Sequence, residues 1–113
     1  MSVSHVTTHI LDTSSGKPAD HVAVELFAAD GTAWTHLAAG VTNAAGRIPD
    51  LGPEVLAPGN YQLRFGTGAY FARTSTETFF PEVVLTFTVA AGEDHYHVPL
   101  LLSPFSYSTY RGN

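Results

Sequence analysis

Six histidines fall in a chain with only five lysines and arginines. His5 and His9 stand four residues apart, and His95 and His97 two apart. Even spacing along a β-strand puts both members of a pair on one face. Two such strands lining one cavity would bring up to four imidazoles together. Imidazole titrates near neutral pH, which suits general acid–base chemistry. A His-x-His segment also offers two nitrogens to a zinc ion, but no cysteine and no suitably spaced carboxylate completes a ligand set. Surface histidines do neither, and spacing alone leaves all three readings open.

Two further features could join the histidines. Arg47 follows Gly46 just after a turn, where a guanidinium is either solvated or holds a polar heterocycle or a developing oxyanion. The stretch Ser106–Asn113 carries two tyrosines and an arginine directly behind the apolar run Val98-Pro99-Leu100-Leu101-Leu102. Docked, it would bring Tyr110, Arg111 and a terminal carboxylate into a site. His21 and His36 stand alone and read as structural or exposed. Asp12 and Asp20 read as turn residues, and Trp34 and the phenylalanines as core. No Gly-x-Ser-x-Gly elbow, P-loop or Gly-x-Gly-x-x-Gly is present.

The elements that must position these groups are almost all strands. His5–Leu11 is rich in β-formers, and Asp12–Pro18 is a turn cluster. His21–Phe27 alternates, with Val22, Val24 and Leu26 on one face. Ala29-Asp30-Gly31 signals a hairpin into a strand from Trp34 to Thr42. Asn43–Gly46 breaks that strand, Leu51–Asn60 reads as loop, and Tyr61–Phe65 alternates again. A helical turn is expected near Thr76–Phe80, ahead of Pro81. Glu82–Ala90 and His95–Leu102 read as a strand pair joined by Ala91–Asp94. Ser106–Arg111 reads as an edge strand. Seven or eight short strands spaced by turns predict an antiparallel β-sandwich.

Composition narrows the function. The length of 113 residues suits one domain over 1–113. Charged residues make up 13% of the chain, against the usual ~25%. So little charge on so small a body suggests apolar surface covered by another copy. A net charge of −5 without a basic cluster argues against nucleic acid and anionic membranes. The absence of cysteine removes disulfides and thiolate chemistry. The opening Met1–His5 lacks the basic and apolar regions of a leader, and no run is long enough for a membrane helix. These features predict a soluble, cytoplasmic protein.

Four ordered motifs resemble the transthyretin-like 5-hydroxyisourate hydrolases. They are Thr8–Thr13 with Gly16–Ala19, then Thr42-Asn43 through Gly46-Arg47, then Glu77–Glu82, and finally His95–Pro104 with Tyr107–Gly112. The resemblance covers essentially the whole chain. It implies an all-β, transthyretin-like (prealbumin) antiparallel β-sandwich of two four-stranded sheets with one short helix. It implies a homotetramer built as a dimer of dimers, with sites in the channel between dimers. It implies hydrolysis of 5-hydroxyisourate to 2-oxo-4-hydroxy-4-carboxy-5-ureidoimidazoline in urate degradation, without a metal or organic cofactor. Matched by position, the catalytic residues are His9, Arg47 and His97, and the substrate-binding residues are Tyr110, Arg111, Gly112 and Asn113. The family normally ends in serine where this chain has Asn113. A carboxamide donates and accepts hydrogen bonds but relays protons poorly. Retained activity is the expectation, since the other motif positions are present. The alternative is a small-molecule carrier or a catalytically impaired relative.

Overall fold

The fold follows from which strand faces are apolar. The structure, a computed structural model, describes residues 4–113. Met1–Val3, part of the segment read for a leader, lies outside the described residues. The strands are β1 (Val6–Asp12), β2 (Lys17–Pro18), β3 (Ala23–Asp30), β4 (Ala33–Val41), β5 (Arg47–Ile48), β6 (Gly59–Phe65), β7 (Val83–Val89), β8 (Tyr96–Leu102) and β9 (Tyr107–Thr109), with one helix, α1 (Thr67–Ala72). They form two sheets. The first runs β2-β1-β8-β9, with β5 also on β1; the second runs β4-β3-β6-β7. The second is the expected four-stranded sheet, and the first adds the two-residue β2 to four others.

Alternation turns one face of each sheet inward. Val6, Ile10, Val98, Leu100 and Leu102 from the first sheet meet Val24, Leu26, Leu63, Phe65, Val83 and Val89 from the second, all buried. Each such side chain is worth about 1.5–3 kcal/mol when fully buried. Thr7, His9, Leu11, His97 and Leu101, which alternate with these, are left on the outer face and half-buried.

Several local expectations are corrected. Glu82–Ala90 and His95–Leu102 do not pair: β7 joins β6, and β8 joins β1 and β9. Ala91–Asp94 crosses between sheets, a job that needs the same turn residues as a hairpin. The β1–β8 pair is parallel, whereas every other ladder is antiparallel. The helix lies at Thr67–Ala72, upstream of the expected Thr76–Phe80. Packing of one buried ring, Phe71, fixes it there, and six residues are too few to show a helical period. Trp34 is only half-buried, and Phe79 and Phe105 are exposed, so these rings lie outside the core. His21 and His36 are exposed and pair with Asp20 and Glu25.

Asp12 ties α1 to the end of β1. Its Oδ1 accepts from the Ser14 backbone at 2.9 Å, and its Oδ2 accepts from the Tyr70 hydroxyl at 2.7 Å. Burial alone would raise the Asp12 carboxyl, but hydrogen bonds from Ser14, Tyr70 and Ser15 outweigh it and hold it below the usual 3.8. Burial and the Asp12 carboxylate push the Tyr70 hydroxyl up to about 12. Among the described residues, no helix is long and apolar enough to cross a membrane.

Tyr70→Phe removes a hydrogen bond to a charged group and is expected to cost about 1–2 kcal/mol, read by urea unfolding at pH 7. Asp12 is more acidic folded than unfolded. Its stabilisation is therefore present above the unfolded value and lost as pH falls below about 4. The Tyr70→Phe cost is expected to shrink over that same acid range.

Candidate active site

The outer face of the first sheet collects a row of polar side chains. His9 lies at the centre of β1, opposite Arg47 on β5 and opposite Pro99 on β8. Two residues earlier on β1, Thr7 lies opposite His97. On the far side of β8, His97 bridges to Gly112 of the tail, whose N–H donates to the His97 carbonyl at 2.8 Å. The row across the sheet is thus Arg47, then His9 and Thr7, then His97, then Gly112.

Arg47 is positioned by a turn whose residues each have a task. Thr42 Oγ1 donates to the Ala19 carbonyl at 2.8 Å and accepts from the Val22 N–H at 2.9 Å. Asn43 Oδ1 accepts from the backbone of Ala45 and Arg47 at 2.9 and 3.0 Å. Gly46 has a φ of +74°, and a Cβ there would sit 2.5 Å from the Ile10 carbonyl oxygen. Only glycine meets both demands. Ile10 N–H donates to the Gly46 carbonyl at 2.8 Å, which pins the turn against β1.

The tail closes the other end just as tightly. A Cβ on Gly112 would stand 2.6 Å from His97 Cδ2. Thr109 Oγ1 donates to the carbonyl of Pro99 at 2.7 Å. Tyr110 and Asn113 are exposed. Arg111 turns away from the row. Its guanidinium lies 4.4 Å over the Tyr96 ring and 3.6 Å from the Glu93 carboxylate. It lines a cleft of about 440 Å³ between β7 and the tail, with Val84, Phe87, Tyr96, Val98 and Tyr110. That cleft contains none of His9, Arg47 and His97. His9, Arg47 and His97 lie instead on the open sheet face.

The four imidazoles do not converge. His5 precedes the first residue of β1, where strand alternation lapses, and it is buried. Its Nδ1 accepts from the Leu56 N–H at 2.7 Å, and its Nε2 bonds to the Glu93 carbonyl at 2.9 Å. Both nitrogens are committed to holding loops. His95 does join the row: its Nε2 lies 3.0 Å from Thr7 Oγ1, which is also 2.8 Å from His97 Nδ1. Thr7 was not singled out by the sequence, and its contact with both histidines depends on the parallel pairing. Among the described residues, no group of three or more His, Cys, Asp or Glu is placed to hold a metal ion.

Burial lowers the imidazoles of His9 and His97. For His9, burial acts first and the Arg47 charge second, partly opposed by a hydrogen bond to the Ala45 backbone. For His97, burial is followed by the charges of Arg47, His9 and His95. Both are therefore mainly neutral at pH 7, able to take a proton and quick to give it back.

The model of the HIUase/Transthyretin family matches residues 6–112. The chain belongs to the HIUase/Transthyretin family. Within that family, a 5-hydroxyisourate hydrolase from Salmonella typhi is 48% identical over 109 residues, covering 96% of this chain and 80% of that protein. The Mus musculus 5-hydroxyisourate hydrolase is 42% identical, covering 97% and 96%. The solved Klebsiella pneumoniae 5-hydroxyisourate hydrolase is 42% identical, with a TM-score of 0.85 over 96% of this chain and 98% of that one. Sea bream transthyretin in complex with thyroxine is 35% identical, with a TM-score of 0.91 over 96% and 94%.

Arg47→Gln removes a like charge beside both imidazoles. The NMR titration midpoints of His9 and His97 are expected to rise toward the usual 6.5. Midpoints that stay put or fall would show that Arg47 does not act on them electrostatically.

Proposed function

We propose that this chain, as one transthyretin-like domain, hydrolyses 5-hydroxyisourate to 2-oxo-4-hydroxy-4-carboxy-5-ureidoimidazoline. The observation that carries the reading is the row of Arg47, His9 and His97, in a chain whose relatives are 5-hydroxyisourate hydrolases.

The reaction opens a cyclic amide. A neutral imidazole of the His9–His97 pair takes a proton from water as the water oxygen bonds to the ring carbonyl carbon. The carbonyl oxygen becomes an oxyanion, and the Arg47 guanidinium stabilises it. The C–N bond then breaks, and the departing nitrogen takes a proton from the pair. Burial and the Arg47 charge make an imidazolium here a ready donor. The water supplies the oxygen gained, and each proton taken up by the pair is returned.

The tail shapes one wall. Gly112 lets it lie flat against His97, and the Asn113 carboxamide can donate to and accept from substrate oxygens and nitrogens. Tyr110 and Arg111 complete the substrate contacts in this reading, which requires Arg111 to leave Glu93. A flat, open sheet face excludes little water by itself. A homotetramer, as a dimer of dimers, would enclose it by setting one such face against another, and the low charge of the chain suits that assembly.

The test is the ultraviolet decay of freshly generated 5-hydroxyisourate over its spontaneous breakdown. The chain is expected to accelerate it clearly, and His9→Ala and His97→Ala each to lower kcat by on the order of a hundredfold or more. Near-native turnover in either variant would remove that histidine from the mechanism. No acceleration by folded protein would overturn the reading and favour a carrier. Gly112→Ala must displace either the tail or the His97 ring. It is expected to lower kcat/KM by about tenfold or more while leaving the fold intact by circular dichroism.

A further inference from the structure

Thr7 Oγ1 has two imidazole nitrogens within hydrogen-bonding distance, His97 Nδ1 at 2.8 Å and His95 Nε2 at 3.0 Å. A hydroxyl carries one proton and accepts through its lone pairs. With both rings neutral and both hydrogen bonds made, Thr7 donates to one ring and accepts from the other. If it accepts from His97 Nδ1–H, it donates to His95 Nε2, and His97 presents a bare Nε2. If it donates to His97 Nδ1, it accepts from His95 Nε2–H, and His97 presents Nε2–H. One hydroxyl therefore couples the tautomers of two histidines, and the tautomer of His97 decides whether its Nε2 acts as base or as acid.

We propose that Thr7 and His95 are positioning residues for His97: the hydroxyl fixes the tautomer of His97 and passes its surplus proton to His95. The step balances. His97 takes a proton at Nε2 and becomes an imidazolium. Its Nδ1 proton moves to Thr7 Oγ1 as the Thr7 proton moves to His95 Nε2. One O–H bond forms as another breaks, His97 is left neutral with Nε2–H, and the charge rests on His95. When His97 Nε2–H gives its proton to the departing nitrogen, both transfers run back: His95 Nε2 returns its proton to Thr7, Thr7 returns one to His97 Nδ1, and both rings end neutral.

The surroundings give the transfer its direction. The charged and titratable groups around His97 are Arg47 from β5, His9 from β1 and His95 from the segment before β8. Gly112, on the tail side, brings no charge. Arg47 is held beside His9 by its turn, so a cation on His97 is repelled from that end of the row. His95 lies outside that row, on the far side of the Thr7 hydroxyl, in the segment where the chain enters the sheet from the β7–β8 connection. The proposal rests on the functional reading for its kinetic part only, because the tautomer can be read without substrate.

Thr7→Val keeps the shape of the side chain and removes the hydroxyl. In ¹⁵N NMR of the free protein, its His97 is expected to change from one tautomer to a mixture. In turnover of 5-hydroxyisourate, kcat is expected to fall by about tenfold to a hundredfold, a part of what a positioned acid or base contributes. KM should move by less than about threefold, since no substrate contact is lost. The acid limb of the pH profile should shift with the altered His97. Thr7→Ser should restore the tautomer and bring kcat back to within about threefold of the parent. His95→Phe should keep the fold and lower kcat, with partial recovery on adding imidazole to the buffer.

An unchanged His97 tautomer in Thr7→Val overturns the proposal, even if the parent protein is silent toward the substrate. Equal losses in Thr7→Val and Thr7→Ser overturn it too, since they would report packing and not the hydroxyl. A changed tautomer with a silent parent upholds the bridge and overturns the functional reading. Unchanged turnover in His95→Phe overturns the relay.

Discussion

The site depends on one pairing, the parallel ladder between β1 and β8. Its register sets Thr7 against His97 and His9 against Pro99. Because side chains alternate along a strand, a slip of one residue would turn the row's members on the slipping strand into the core. The register is defended from the other face, where Val6, Ile10, Val98 and Leu100 are buried. The same packing that stabilises the sandwich therefore fixes which polar groups meet outside it. A parallel pair also needs a long connection. Here the rest of the domain, from β2 through β7, lies between the two strands.

Around that ladder, the site is trimmed by groups that make no chemical contribution of their own. Thr42, Asn43 and Gly46 use hydrogen bonds and a left-handed backbone to hold Arg47 next to β1. Thr67 and Thr78 donate to the carbonyls of Phe80 and Pro104, at 2.8 and 2.7 Å, and fasten the helical segment to the β8–β9 turn. His5 ties the Leu56 loop to the β7–β8 connection, using both ring nitrogens. The motifs that read as functional in the sequence are thus largely scaffolding.

Much of this was legible before the fold was known. Alternation in Val22–Leu26 and Tyr61–Phe65 gave strands with the correct buried faces, because a period of two has few other causes. The ordered motifs, not the spacing, single out His9, Arg47 and His97. Long-range pairing was not legible. Ala91–Asp94 has the composition of a hairpin, and nothing local shows that its strands enter different sheets. His5 has the right parity to join His9 but lies one residue outside the strand. Thr7 has no chemical signal of its own until His95 and His97 are brought to it.

The tail touches two environments of opposite character within two residues. Gly112 lies against an imidazole on the outer face, while Arg111 stacks over a buried ring on the way to the inter-sheet cleft. Freedom to vary is therefore unevenly spread along it. Position 112 tolerates no side chain, and position 111 favours a long cation that can lie on an aromatic face. The exposed side chains at 110 and 113 meet no comparable steric limit within the chain. Packing within the chain therefore sets positions 111 and 112, while 110 and 113 answer only to what the tail meets outside the chain.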